Sequence, residues 1–126
     1  MILAHWKYSK QEWKAFMRSG KRQKGFVSYF LHWLFPFSRK KIPEIKITPE
    51  LVSIGNEQQY FSSRRHSLTD IRIREEGVIN IIEIGYEYAN ENSSKRREII
   101  IPVPKGKLRE AFEVEERLLS AAALSQ

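Results

Sequence analysis

The chain has 126 residues, enough for one hydrophobic core of ordinary size, whereas two independent cores would each be marginal. Hydrophobic residues make up 41% and charged residues 29%, which excludes collagen-like and wholly disordered chains. Because cysteine is absent, disulfide frameworks, thiolate metal sites and cysteine nucleophiles are excluded as well.

The net charge of +7 is concentrated at the N-terminal end. Residues 1–41 hold ten Lys or Arg against a single acidic residue, Glu12, whereas residues 42–126 hold 12 basic and 14 acidic residues. The same 41 residues carry ten of the fifteen aromatic residues, including all three Trp. Such an asymmetry suggests an interaction with a polyanion or an anionic membrane.

The first predicted element is a basic amphipathic helix. Ser9 followed three residues later by Glu12 is the pattern of a capping box, in which each side chain satisfies an amide of the first turn. Trp13, Phe16 and Met17 then lie on one helical face. The other faces carry basic residues: Lys10, Lys14, Arg18 and Lys21.

The next segment, residues 26–35, is apolar on nearly all sides and ends at Pro36. Ten helical residues span roughly 15 Å, about half of a hydrocarbon core of about 30 Å. We therefore expect that this segment does not cross a bilayer as a single helix. It is also a poor secretory signal, because it starts late and no small-residue cleavage site follows it.

From residue 42 onward the sequence changes to short β-branched runs separated by turn residues. The predicted strands cover residues 45–47, 51–54, 60–61, 68–74, 78–88 and 99–101. Residues 62–67 and 90–94 are predicted to be polar loops, and residues 105–123 a helix. The prediction is an α+β fold, a small β-sandwich or barrel of six or seven mostly antiparallel strands capped by the C-terminal helix. Residues 1–41 are predicted to form a basic aromatic helical arm, and residues 42–126 the β domain.

The last predicted strand and helix carry a resemblance to a known family. Ile99-Ile100-Ile101-Pro102-Val103-Pro104 continues directly into the helical residues 105–111. This order resembles the bacterial pleckstrin-homology-like domains of the YcxB-like kind, over about residues 42–122. The resemblance implies a small barrel closed by a C-terminal helix and a location near a membrane. Members often carry two complete transmembrane helices before the domain, and this chain differs by having one charged helix and the half-length apolar segment.

Catalytic and metal-binding patterns are weak in this sequence. Asp70 is the only Asp, and the three His are isolated from one another. Gly20 and Gly25 have the spacing of a phosphate loop, but Phe26 and Val27 stand where Lys and Ser or Thr are required. No Gly-x-Ser-x-Gly motif is present. We therefore expect a protein that is not an enzyme and needs no metal or cofactor.

The combination of Trp, basic residues and a short apolar segment favours the surface of an anionic membrane. Trp prefers the headgroup level of a bilayer, and Lys and Arg are attracted to anionic lipid. We expect a non-catalytic adaptor or interaction module in the cytoplasm, at the inner face of the membrane, which binds the membrane or a membrane protein. The predicted contact residues are Trp6, Trp13, Lys14, Arg18, Lys21, Arg22, Lys24, Phe30, Trp33, Phe37, Arg39, Lys40 and Lys41.

Three other interpretations of the N-terminal residues stay open at this stage. Basic residues interleaved with aromatic ones also suit nucleic acid, through phosphate contacts and base stacking. Residues 26–37 could instead dock on a partner protein or on a second copy of the chain. Finally, the apolar residues of the arm could pack on the sheet of the β domain itself and leave only a solvated basic face.

Overall fold

The computed structural model describes residues 1–21 and 42–124. They form two helices and seven strands: β1 Ala4–Trp6, α1 Lys10–Lys21, β2 Ile45–Ile47, β3 Leu51–Ile54, β4 Glu57–Tyr60, β5 His66–Glu76, β6 Ile79–Ala89, β7 Ser94–Val103 and α2 Leu108–Leu124. All the strand pairs are antiparallel, so the predicted α+β class, the number of strands and the C-terminal helix are confirmed. In the described residues the strands form two separate sheets and no closed barrel.

The first sheet has four strands in the order β1-β2-β3-β4. Alternate residues of β2 and β3 point into the core, and Ile45, Ile47, Val52 and Ile54 are fully buried. Strand β1 was not predicted, because its residues were assigned to the N-terminal helical arm. It pairs with β2 in the register Ala4 to Ile47, so the N-terminal residues belong to this sheet.

The second sheet has the order β5-β6-β7, and its first two strands form a long hairpin. The hairpin loop is Gly77–Val78, and Gly77 has a φ of 64°, a conformation that favours glycine. The core-facing side of this sheet includes Ile71, Ile82 and Ile101, all of which are buried. Strand β5 starts two residues earlier than predicted, at His66, because His66 pairs with Tyr88.

Helix α2 packs mainly against β5. Ala111, Val114 and Leu118 are its buried side chains, whereas Phe112 and Leu119 are half exposed. The helix is therefore rotated so that its core-facing side is the stripe 111–114–118, which leaves part of its apolar surface in solvent.

Helix α1 is part of the same core. The capping box is confirmed: the Ser9 amide donates to Glu12 Oε1 at 2.9 Å, and the Glu12 amide donates to Ser9 Oγ at 3.1 Å. The second oxygen of Glu12 accepts a hydrogen bond of 2.6 Å from the Lys105 amide, which joins the start of α1 to the β7–α2 connection. Tyr8 donates its hydroxyl hydrogen to the Pro102 carbonyl at 2.7 Å. Residues 1–21 are thus tied to the β domain by packing and hydrogen bonds.

Candidate functional site

The strongest candidate surface is the outer side of helix α1. Lys10, Lys14 and Arg18 are exposed and follow one another at intervals of four residues, so they lie along one side of the helix. Trp13 and Phe16, on the opposite side, are each only 5% exposed and belong to the core. Among the described residues, none of the three basic side chains pairs with an acidic one. We call Lys10, Lys14 and Arg18 the basic face of α1.

Two of the predicted contact residues lie in the core, and for these the prediction is corrected. Trp6 is fully buried and donates its indole hydrogen to Glu110 Oε1 at 3.1 Å. Trp13 packs between Tyr8 and Phe16, with ring centroids 5.6 and 5.4 Å away. Neither indole can reach a membrane or a partner while the fold is intact. The physical reason is that both rings belong to the hydrophobic core and add buried apolar area to a small domain.

The other predicted contact residues are placed as follows. Lys14 and Arg18 lie on the basic face of α1, and Lys21 is the last residue of that helix. The remaining eight fall outside the described residues: Arg22, Lys24, Phe30, Trp33, Phe37, Arg39, Lys40 and Lys41.

A cleft of about 440 Å³ lies between the start of α1 and the hairpin loop of β5 and β6. Its polar wall groups include Tyr8 and Glu12, and both are already engaged. Burial raises the pKa of the Tyr8 hydroxyl well above its ordinary value, with Glu12 adding to the effect. Partial burial alone would raise the pKa of Glu12, but hydrogen bonds from the Ser9 and Lys105 amides outweigh it and lower that pKa. The cleft therefore offers apolar surface, and neither Tyr8 nor Glu12 is available in it to act as an acid or a base.

A second charged surface lies on the side of the β5-β6-β7 sheet opposite to Ile71, Ile82 and Ile101, and there the charges are paired. Glu83 is only 5% exposed and accepts hydrogen bonds from Arg72, at 3.3 Å, and from Arg74. Asp70 pairs with Arg96 at 2.8 Å. We call this set the ion-pair face; it consists of Asp70, Arg72, Arg74, Glu76, Glu83, Arg96 and Glu98.

The ion-pair face contains one carboxylate that is poorly compensated. Burial raises the pKa of Glu98, and the nearby carboxylates of Glu83 and Asp70 raise it further. One oxygen of Glu98 is buried without a hydrogen-bond partner. Its closest cation is Arg96, at 4.0 Å, and this guanidinium already contacts Asp70.

The pairing of Arg72 with Glu83 across strands β5 and β6 was not predicted, although the sequence contained a signal for it. A two-residue loop at Gly77–Val78 places Arg72 opposite Glu83, as observed. The burial of Glu83 itself had no such signal, because a glutamate in a strand is most often at the surface.

No three His, Asp or Glu side chains in the described ranges are grouped so that they could hold a metal ion. Within residues 1–21 and 42–124, neither helix has the length and apolar character needed to cross a bilayer.

Comparisons with protein-family models, with curated proteins and with solved structures found no match to this chain.

Proposed function

We propose that the protein is a non-catalytic module that binds the surface of an anionic membrane, with the basic face of α1 as its main contact. The observation that carries the proposal is the division of this helix into two sides. Its aromatic side stabilises the core, while Lys10, Lys14 and Arg18 project from the surface without acidic partners among the described residues. Each such residue near an anionic bilayer contributes about 1 kcal/mol of binding free energy.

The sequence after α1 supports the same proposal. Residues 22–41 contain Arg22, Lys24, Arg39, Lys40 and Lys41 and no acidic residue, together with the apolar run 26–35. A cluster of basic residues next to apolar ones is a typical membrane-surface signal, because electrostatic attraction and apolar burial add. We place the module at the inner face of the membrane, since basic segments stay preferentially in the cytoplasm. The resemblance to YcxB-like domains stays a prediction.

The test is co-sedimentation with vesicles that contain about a third of anionic lipid, at low and high salt. Charge reversal of the basic face, Lys10→Glu/Lys14→Glu/Arg18→Glu, is expected to abolish binding at a salt concentration where the wild-type protein pellets. The matched control reverses three other exposed basic residues, Lys46, Arg109 and Arg117, and so produces the same net charge.

The two triple variants separate a local contact from a general charge effect. If the control loses binding as completely as the α1 variant, net charge alone attracts the protein and the basic face of α1 is not the contact. If both variants bind like wild type, the proposal is wrong. Deleting residues 1–41 is not a suitable test, because β1 and α1 contribute Trp6, Trp13 and Phe16 to the core.

A further inference from the structure

A second surface with ligand-binding chemistry lies at the other end of the fold, where the β4–β5 loop meets the hairpin of β6 and β7. The loop ends in a tight turn: the Ser63 amide donates to the His66 carbonyl at 2.9 Å, and the Arg65 amide donates to Ser63 Oγ at 3.3 Å. Arg64 and Arg65 occupy the tip of this turn and are exposed. The Ala89 amide donates to the Arg65 carbonyl at 2.9 Å, so the turn is fixed to the end of β6.

The rings of Tyr60, His66 and Tyr88 lie directly beside this turn, and the buried ring of Tyr86 contacts His66 at 5.7 Å between centroids. The His66 ring contacts Tyr88 at 5.0 Å and Tyr60 at 6.3 Å between centroids, and its Nδ1 lies 2.7 Å from Ser63 Oγ. Tyr60 is 41% exposed, a large exposure for an aromatic side chain in a strand. Tyr88 and His66 are half-buried. The rings thus form an aromatic platform with Tyr60 at its exposed side.

A third basic residue borders the platform from the opposite side. The register places His66 opposite Tyr88 and Tyr88 opposite Lys95, so these three side chains lie in one row on the same face of the sheet. Lys95 is exposed, and in the described part of the chain neither Lys95 nor Arg64 nor Arg65 pairs with a carboxylate. We call the whole surface the basic aromatic edge; it consists of Tyr60, Arg64, Arg65, His66, Tyr88 and Lys95.

We propose that the basic aromatic edge binds single-stranded nucleic acid, with a base stacked on Tyr60 and the neighbouring phosphates bound by Arg64, Arg65 and Lys95. Proteins that bind single strands without sequence preference combine aromatic rings for base stacking with a basic surface for the phosphates. The backbone that carries these side chains is held in strands and in a hydrogen-bonded turn, so little backbone entropy is lost on binding. This site shares no residue with the basic face of α1 and goes beyond the proposed membrane function.

The test is fluorescence anisotropy with a labelled single-stranded oligonucleotide of about ten nucleotides, a length within the range that one small domain covers. An abasic strand of equal length provides the phosphates without the bases. Tyr60→Ala is expected to weaken binding of the normal strand by about tenfold and to leave the abasic strand nearly unaffected, because one stacked base is lost. Tyr60→Phe keeps the ring and should bind like wild type.

The arginines are tested separately, since they act through phosphates. Arg64→Ala/Arg65→Ala is expected to weaken both strands and to reduce the slope of log affinity against log salt by about 0.7 for each phosphate that is no longer neutralised. Both residues are exposed at a turn tip, so this variant should fold even if Tyr60→Ala does not. The matched controls are Phe112→Ala, which removes another exposed aromatic ring, and Arg109→Ala/Arg117→Ala.

Loss of oligonucleotide binding in the edge variants, with the controls unchanged, supports the proposal. The proposal is overturned by equal affinity for normal and abasic strands, by wild-type affinity in the Arg64→Ala/Arg65→Ala variant, or by loss of binding only after charge reversal of Lys10, Lys14 and Arg18. Loss of binding only after that charge reversal would assign nucleic-acid binding to the N-terminal residues. If the edge variants lose vesicle binding and the wild-type protein binds no oligonucleotide, the edge recognises lipid headgroups and this proposal is wrong. Failure of the edge proposal leaves the vesicle results for α1 unaffected.

Discussion

The basic face of α1 and the ion-pair face each carry three Lys or Arg on regular secondary structure. Among the described residues, only those of the ion-pair face have acidic partners. On the ion-pair face, Arg72 and Arg74 contact the buried Glu83, and Arg96 contacts Asp70. On α1, the only acidic side chain, Glu12, is committed to the Ser9 and Lys105 amides and neutralises none of the outward lysines. The number of charges on a surface is therefore a poor guide to its role; their pairing decides whether they stabilise the fold or remain available to a ligand.

The largest loss of stability is expected for Glu83→Ala, which removes the central carboxylate of the ion-pair face. Removal of this buried carboxylate leaves Arg74, which is partly buried, without one of its acidic partners. We expect a loss of about 3 kcal/mol in the free energy of unfolding, measured by urea denaturation. Glu87→Ala is the control, because Glu87 lies on the same side of β6 but is exposed; its effect should stay within about 0.5 kcal/mol. Equal effects of the two variants would show that the ion pairs of Glu83 contribute little.

A smaller effect is expected where the ion-pair face relies on a glycine. A Cβ added to Gly85 would overlap the carboxylate of Asp70, which lies across Gly85 to reach Arg96. Gly85→Ala should therefore cost about 1 kcal/mol, and Asp70→Ala in the same chain should remove most of that cost. Thermal unfolding of the two single variants and the double variant gives the coupling energy. If the two single effects simply add in the double variant, the Asp70 side chain is not the reason that position 85 needs a glycine.

Glu98 tests whether an incompletely paired carboxylate destabilises the same face. The pKa of Glu98 is higher in the folded protein than in the unfolded chain, so the protonated carboxyl favours the folded state. This stabilisation is fully present below the ordinary pKa of a glutamate and is lost as the pH rises through the raised value. Glu98→Gln should therefore increase the free energy of unfolding at neutral pH, by about 0.5 kcal/mol. The advantage should shrink on acidification through the raised pKa. An advantage that grew towards low pH would contradict this account.

The smallest effect is expected for Glu115, a half-buried glutamate of α2. Helix α2 faces the core with Ala111, Val114 and Leu118, and in the described residues no hydrogen bond or ion pair involves the Glu115 side chain. Glu115→Ala and Glu115→Gln should both change the free energy of unfolding by less than about 0.5 kcal/mol in chemical denaturation. A loss near that of Glu83→Ala would reveal a buried partner.

Much of the fold was predictable because local signals agreed with the tertiary structure. The capping box at Ser9, the alternation in β2 and the turn at Asn90 all act within a few residues, and each predicted its element correctly. The orientation of α2 was harder to predict, since Leu108 and Phe112 are as apolar as the residues that face the core. Packing against β5 determines which side of the helix is buried, and this side cannot be predicted from the sequence of the helix alone.

The candidate sites were less predictable than the fold. The sequence identified the basic residues of α1 but could not show that Trp6 lies in the core, since an aromatic residue near basic ones looks the same whether it faces solvent or a sheet. The basic aromatic edge was missed because its residues come from β4, the β4–β5 turn, β6 and β7. Only the strand register brings His66, Tyr88 and Lys95 into one row.

The central claim, that the basic face of α1 holds the protein on an anionic membrane, is tested most directly by neutralising its residues one at a time. Vesicle affinity is measured for wild type, Lys14→Gln, Lys10→Gln/Lys14→Gln and Lys10→Gln/Lys14→Gln/Arg18→Gln, with thermal unfolding recorded for each. The account predicts a loss of about fivefold in affinity per charge removed, corresponding to about 1 kcal/mol each, and an unchanged melting temperature. An affinity for anionic vesicles that stays at the wild-type value in the triple variant would contradict it.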